Sequence, residues 1–258
     1  MDRLKTVAKI SQDAGALALS HFQELDALKV ERKGRHDLVS QADRNVETLI
    51  RSALSNAFPN DGLIGEEHPA QAGTSGFTWV IDPIDGTSNF LASRPNWCVA
   101  IAGIENDRTE IGVIYDPCHD ELYVASRGEG ATLNETPMQA TPATSLWEGA
   151  TSIGHSRYSP QGSVGTLLNG ITQNDGTIIA SGSGALSIAY VAAGRTIGHL
   201  EGYMNAWDCL AALLMVQEAG GQTEPLSPVH VVQNGTRIIT GGKGVFQTLH
   251  AIATRSFD

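Results

Sequence analysis

Apolar residues recur every three to four positions over residues 4–22, with Leu4, Val7, Ala8, Ala14, Ala18 and Phe22 on one stripe. This spacing predicts an amphipathic helix. A second helix is sharper. Ala42, Val46, Leu49, Ile50, Ala53 and Leu54 follow at helical spacing after Ser40, a residue able to cap, and Asp43 stands three residues on. Pro59 and the Asn60-Asp61-Gly62 turn close it. The pattern then shortens to strands. Leu63-Ile64 and Trp79-Val80-Ile81 are brief apolar runs that stop at acids. The runs 99–104 and 111–115 flank Asn106-Asp107-Arg108 and predict a hairpin, 122–125 extends the sheet, and Gly128 and Gly130 mark a turn. The Pro-, Thr- and Ala-rich segment 136–149 reads as a boundary between two halves, 1–145 and 146–258. Beyond it, helices are predicted over 160–172, 184–194 and 207–219, with a final strand near 236–240. The chain is of the mixed α/β type.

Composition narrows the function classes. With Lys+Arg 17 against Asp+Glu 28, the formal charge is −11, and there is no basic run. Nucleic acid and anionic membrane surfaces are therefore unfavoured partners. A phosphate substrate stays open if metal ions supply positive charge locally. No stretch approaches the ~20 apolar residues of a membrane span, and the first residues lack a signal-peptide core. Cys98, Cys118 and Cys209 are odd in number and far apart, which argues against a disulfide framework or zinc knuckle and for a reducing cytoplasm.

The chemistry concentrates in Trp79-Val80-Ile81-Asp82-Pro83-Ile84-Asp85-Gly86-Thr87-Ser88-Asn89-Phe90. Pro83 lacks a donor and is expected to end the strand ladder after Asp82. Asp-Gly alone is an ordinary turn. Two carboxylates three residues apart at the end of a buried strand repel each other unless a cation lies between them. Hard oxygen ligands at a strand end suit Mg²⁺ together with substrate phosphate oxygens, and N–H groups of Gly86 and Thr87 at a helix start suit a phosphate. Gly65-Glu66-Glu67-His68 repeats the pattern of a strand ending in acid. Taken alone, the two Glu read as a solvated edge. Asp208 opens a third element, a helix apolar around most of its circumference. It would suit the helix dipole in any case. Three element ends each offering acid make a multi-metal carboxylate site the economical reading.

These motifs, taken in order, resemble the inositol monophosphatase family of Mg²⁺-dependent, lithium-sensitive phosphatases. The resemblance spans nearly the whole chain. It is strongest at 65–67, 79–90, Trp207-Asp208 and Glu218-Ala219-Gly220-Gly221, and it extends to 37–43, 182–186 and 190–195. It implies a layered α-β-α-β-α sandwich of the sugar-phosphatase type, with the site between two joined halves. It also implies a homodimer. By the same resemblance Glu66, Asp82 and the Ile84 carbonyl hold one Mg²⁺, and Asp82, Asp85 and Asp208 a second, with two or three ions in all. Thr87 orients the attacking water with Asp43 as its partner, Glu66 assists as proton acceptor, and the backbone from Ile84 through Asp85 and Gly86 to Thr87 holds phosphate. Gly182, Ser183, Gly184, Glu201 and Asp208 line the pocket for the alcohol. The implied reaction is hydrolysis of a small phosphorylated polyol or amino alcohol, foremost myo-inositol monophosphate. Histidinol phosphate, fructose 1,6-bisphosphate and nucleotide 3′-phosphates are alternatives on the same core, and a non-catalytic regulatory protein is an alternative of another class. The chain departs from the family pattern at Ile178-Ile179-Ala180-Ser181, where an Arg is common, and at His68, where a small hydroxyl residue is common. Because Mg²⁺ prefers oxygen, His68 is expected to be a solvent-facing loop residue rather than a ligand.

Overall fold

The computed structural model describes residues 2–25, 30–34 and 37–257, with side chains for all of these except 30–34 and 37–40. In chain order the elements are α1 (Arg3–Gln23), β1 (Val30–Gly34), β2 (Asp37–Ser40), α2 (Gln41–Ala57), β3 (Gly62–Gly65), β4 (Phe77–Asp85) and α3 (Thr87–Leu91). Next come β5 (Cys98–Glu105), β6 (Arg108–Asp116), β7 (Glu121–Ser126), β8 (Gly130–Leu133) and β9 (Thr136–Pro137). After a 3₁₀ turn at Leu146–Glu148 follow β10 (Ala150–Ile153), α4 (Ser163–Thr172), β11 (Thr177–Ile179), α5 (Gly184–Ala192) and β12 (Gly198–Met204). The chain ends with α6 (Ala206–Glu218), β13 (Gln222–Thr223), α7 (Pro228–Asn234), β14 (Thr236–Gly241) and α8 (Phe246–Phe257).

Two sheets stack between three helical layers. The seven-stranded sheet runs β3-β4-β5-β6-β7-β8-β9, parallel only at β3–β4. The five-stranded sheet runs β11-β10-β12-β14-β13, parallel at its β11-β10-β12 side. On the outer face of the larger sheet, Val7, Ala14 and Ala18 of α1 and Val46, Ile50 and Leu54 of α2 pack on Trp79, Ile81, Val99 and Ile101. Its inner face (Val80, Cys98, Ala100, Ala102, Ile114) packs on α5 and α6. On the far side of the smaller sheet, Leu167 and Ile171 of α4 and Leu249 and Ile252 of α8 cover Leu200 and Ile239. The result is the five-layered α-β-α-β-α order. Because α6 is covered on nearly every side, its residues from Cys209 to Val216 are buried, as an all-round apolar helix requires.

Most predicted elements lie where the periodicity puts them. The side chain of Ser40, expected to cap α2, lies outside the described residues. Pro83 does not end β4. The strand continues to Asp85 with a bulge: Asp82 pairs with Ala100 and Asp85 with Cys98, so three steps on β4 oppose two on β5. The consequence is directional. In a regular strand residues three apart face opposite sides. The extra residue turns Ile84 into the outer core and lets Asp82 and Asp85 both share the inner face of Cys98 and Ala100.

The inner face also sets how closely α6 approaches. A Cβ on Gly112 of β6 would stand 2.5 Å from the Ala211 carbonyl oxygen of α6. Gly112→Ala should therefore push helix from sheet, a backbone clash that no rotamer can relieve, and destabilise the fold by about 1–3 kcal/mol. Urea denaturation checks this, and an unchanged midpoint would mean that the helix–sheet spacing is not fixed there.

Candidate active site

Each acid of the site is placed by a local device. The bulge sets Asp82 and Asp85 side by side. Asp82 Oδ1 accepts the Ile84 N–H at 3.0 Å, which fixes the carboxylate against its own strand. Asp85 reaches the N-terminus of α5, where it accepts the N–H groups of Gly184 (3.3 Å) and Ala185 (2.9 Å) and the Ser183 hydroxyl. Asp208 sits in the first turn of α6 and accepts the Asn205 N–H at 3.0 Å and its side-chain amide at 3.1 Å, a reciprocal cap. The dipole and the metal readings of Asp208 are therefore compatible: one carboxylate caps the helix and faces the other acids.

Carboxylate oxygens of Asp82, Asp85 and Asp208 lie within 4.8 Å of one another. Their proton affinities record the crowding. Burial, then the charges of Glu66, Asp85 and Asp208, push Asp82 well above the usual carboxylate range. Burial raises Asp85 against the lowering effect of its Ser183, Ala185 and Gly184 hydrogen bonds. Asp208 is raised to about 7, chiefly by burial and the Asp85 charge. The opposing influences are hydrogen bonds rather than Lys or Arg side chains. An all-oxygen, mutually repelling donor set of this kind fits a hard divalent cation.

The remaining predicted residues divide. Glu66 lines the same cavity and its charge acts on Asp82, but it is not within the mutual 4.8 Å of the three Asp. The Thr87 hydroxyl lies 3.3 Å from Asp43 Oδ1 and 3.1 Å from the Ile84 carbonyl oxygen. With one proton it donates to one of them at a time. Asp43 is only 1% exposed, on the inward stripe of α2. Gly86 has φ +95°, and a Cβ there would meet the Asn96 carbonyl oxygen and Ser183, so both its turn and its close approach exclude a side chain. Gly182, Ser183, Gly184, Glu201 and Asp208 all line a cavity of about 730 Å³ beside the acids. His68 is not in the acid cluster, but it is half-buried against α2 rather than solvent-facing, because its Nε2 lies 3.1 Å from Thr48 Oγ1. The stretch Thr177–Ile179 forms β11, the edge strand of the smaller sheet, with Ile179 exposed.

Two supporting residues escaped the sequence reading. Glu47 is fully buried and holds the turn after β3, accepting the N–H of Glu67 (2.7 Å) and of His68 (3.3 Å). Its signal was a charge on the apolar stripe of α2, four residues from Asp43. Asn89 donates to the Asn96 carbonyl (2.7 Å) and the Ser181 carbonyl (2.8 Å), tying α3 to the turn before α5. The cavity wall at His155, Arg157 and Tyr158 was also unassigned, and no motif announces it.

Comparison with known proteins agrees with this geometry. Residues 2–256 match the inositol monophosphatase family. The chain is 34% identical over 249 residues to an inositol-1-monophosphatase of Mesorhizobium japonicum, covering 95% of this chain and 94% of that protein. It is 38% identical over 217 residues to the Nus factor SuhB of Xylella fastidiosa, covering 83% and 78%. The crystal structure of extragenic suppressor protein suhB from Bartonella henselae superposes with TM-score 0.91 at 33% identity, covering 97% and 98%. An IMPase structure from Thermotoga maritima gives TM-score 0.88 at 27% identity, covering 99% and 98%. The family match over nearly the full length, joined to the acid cluster its motifs build, identifies the chain as a member of the inositol monophosphatase family.

Proposed function

We propose that the chain is a Mg²⁺-dependent phosphomonoesterase whose foremost substrate is myo-inositol monophosphate, hydrolysed to inositol and phosphate. The observation that carries this reading is the cluster of three acids, two of which, Asp85 and Asp208, line a roomy cavity. The family and its inositol-monophosphatase relatives support a phosphatase. Asp82, Asp85 and Asp208, with Glu66 and the Ile84 carbonyl nearby, would hold the metal ions, two or three in number. When bound, they supply positive charge for the phosphate oxygens and make a water a stronger nucleophile. The protein's own part is orientation and proton handling. Asp43 accepts the Thr87 hydroxyl proton, which turns the Thr87 Oγ1 lone pair toward the water. Thr87 Oγ1 accepts a hydrogen bond from the water, whose proton passes to a Glu66 carboxylate oxygen as the water oxygen bonds to phosphorus; the ester P–O bond in line with it breaks, and the departing alcohol oxygen takes its proton from solvent. The backbone from Ile84 to Thr87 holds the phosphate, and the cavity wall from Gly182 to Gly184 with Glu201 receives the alcohol. Lithium inhibition, a homodimer and a cytoplasmic setting belong to the same reading.

Several relatives bear the name Nus factor SuhB, and that name supports a second reading, a regulatory protein that keeps the fold and joins a larger assembly. The two separate on one assay. Purified protein with Mg²⁺ should release phosphate from myo-inositol 1-phosphate and lose that activity in EDTA. Absence of turnover on a panel of phosphomonoesters would leave the regulatory reading standing alone.

Asp85→Asn keeps the shape and removes one charge. Turnover should fall by at least about a hundredfold while the fold survives. Near-normal turnover in EDTA would contradict the site assignment.

Thr87→Ala and Asp43→Asn should each lower kcat, and the double variant should lose little more than the worse single one, because the pair acts as a unit. A double-mutant cycle on kcat/KM checks this, and fully additive losses would separate the two residues.

The raised carboxylates also fix a pH dependence. The folded, metal-free chain binds more protons than the unfolded one between the unfolded carboxylate range and about 7, the Asp208 value. Its stability from these groups is therefore present at low pH and is lost as pH rises through that window. Thermal melting in EDTA should fall from about pH 5 to about pH 8, and Mg²⁺ should restore it most at the alkaline end. A melting temperature that rises over this window would contradict the burial of three repelling acids.

A further inference from the structure

The cavity wall holds a further polar group that the reaction does not use. His199 lies on β12 two residues before Glu201, so the two side chains share one face of the strand. Both line the cavity. His199 is 1% exposed, yet neither Nδ1 nor Nε2 has a hydrogen-bond partner among the described residues. Nε2 stands 3.5 Å from Glu201 Oε2 without the alignment of a hydrogen bond. Ser152, paired with His199 across β10, is also buried, and its hydroxyl is also unpartnered. Space for the Glu201 carboxylate is kept by Gly154, where any Cβ would collide with it. Leaving a buried polar group without a hydrogen-bond partner is costly. Burying an imidazole, a hydroxyl and a carboxylate together is therefore a poor solution for packing. It is a good one for a ligand that brings its own hydrogen-bonding groups.

We propose that His199 is a specificity-determining residue that, with Glu201, reads two adjacent hydroxyls on the alcohol portion of the substrate. The proposal rests on the phosphatase reading above. Glu201 accepts from one hydroxyl, and a His199 ring nitrogen bonds the neighbouring one. A phosphate ester lacking hydroxyls leaves this wall unsatisfied and gains nothing from it. Discrimination therefore sits in His199, outside the acid cluster.

The experiment compares wild type, His199→Phe and His199→Gln on two Mg²⁺-supported substrates, myo-inositol 1-phosphate and p-nitrophenyl phosphate. His199→Phe should lower kcat/KM for the inositol ester about tenfold, mostly through KM, and leave the aryl ester unchanged. His199→Gln, which keeps a hydrogen-bonding group, should recover part of the loss. The Phe variant should melt at or above the wild-type temperature, since it removes two unpartnered nitrogens. Equal losses on both esters, or no loss on either, would overturn the proposal. Binding of myo-inositol 1-phosphate is measured in parallel by calorimetry with Ca²⁺ replacing Mg²⁺. There His199→Phe should bind about tenfold more weakly. A wild type that turns over neither ester would remove the phosphatase reading alone, whereas equal calorimetric affinities would remove the role of His199.

Discussion

Repulsion among three buried carboxylates is the constraint around which this molecule is arranged. Asp82, Asp85 and Asp208 come from two elements, and the first and last of them are 126 positions apart in the chain, yet their oxygens meet within 4.8 Å. Left to themselves, like charges in a low-dielectric interior would separate or take up protons. The raised proton affinities are that second response. The fold prevents the first by giving each acid a fixed donor: the Ile84 N–H for Asp82, the α5 terminus for Asp85, and the Asn205 cap for Asp208. These anchors also leave the cluster open to the cavity. A divalent cation held there would relieve their mutual repulsion.

The layers exist to hold those anchors still. The inner α5–α6 layer is clamped between two sheets, so the first turns of both helices are placed by packing on two sides rather than by loops. The β4 bulge does the equivalent job on the sheet by turning Asp82 and Asp85 to one face. Outside this frame, α2 brings Asp43 to Thr87 and Glu47 to the turn carrying Glu66. Site precision therefore depends on residues that never face the cavity, including Gly112, Glu47 and Asn89.

Much of this was legible in the residues, for identifiable reasons. Long amphipathic helices such as α1 and α2 announce themselves because one face is wet. The 98–116 hairpin did so through apolar runs on either side of a polar turn. Element ends rich in acid flagged Asp82, Asp85, Glu66 and Asp208 before any coordinates. Three features were hidden. The bulge was read as a strand end, because Pro83 removes a ladder donor but cannot say whether pairing resumes beyond it. The strand β12 carries His199 and Glu201 on a face that lines a cavity, and the buried Ser152 of β10 pairs with His199, so the usual apolar pattern is broken. The closing helix α8 is short and follows a glycine-rich turn, and its stripe of Phe246, Leu249, Ile252 and Ala253 passed unread.

The central claim, that the buried acids form a cation site kept partly protonated until an ion arrives, is tested most directly by titrating Mg²⁺ into EDTA-stripped protein calorimetrically in buffers of different ionisation enthalpy. The account predicts saturable binding with proton release, larger near pH 6 than near pH 8, and a clear loss of both binding and release in Asp208→Asn. Binding without proton release, or equal binding by wild type and Asp208→Asn, would contradict it.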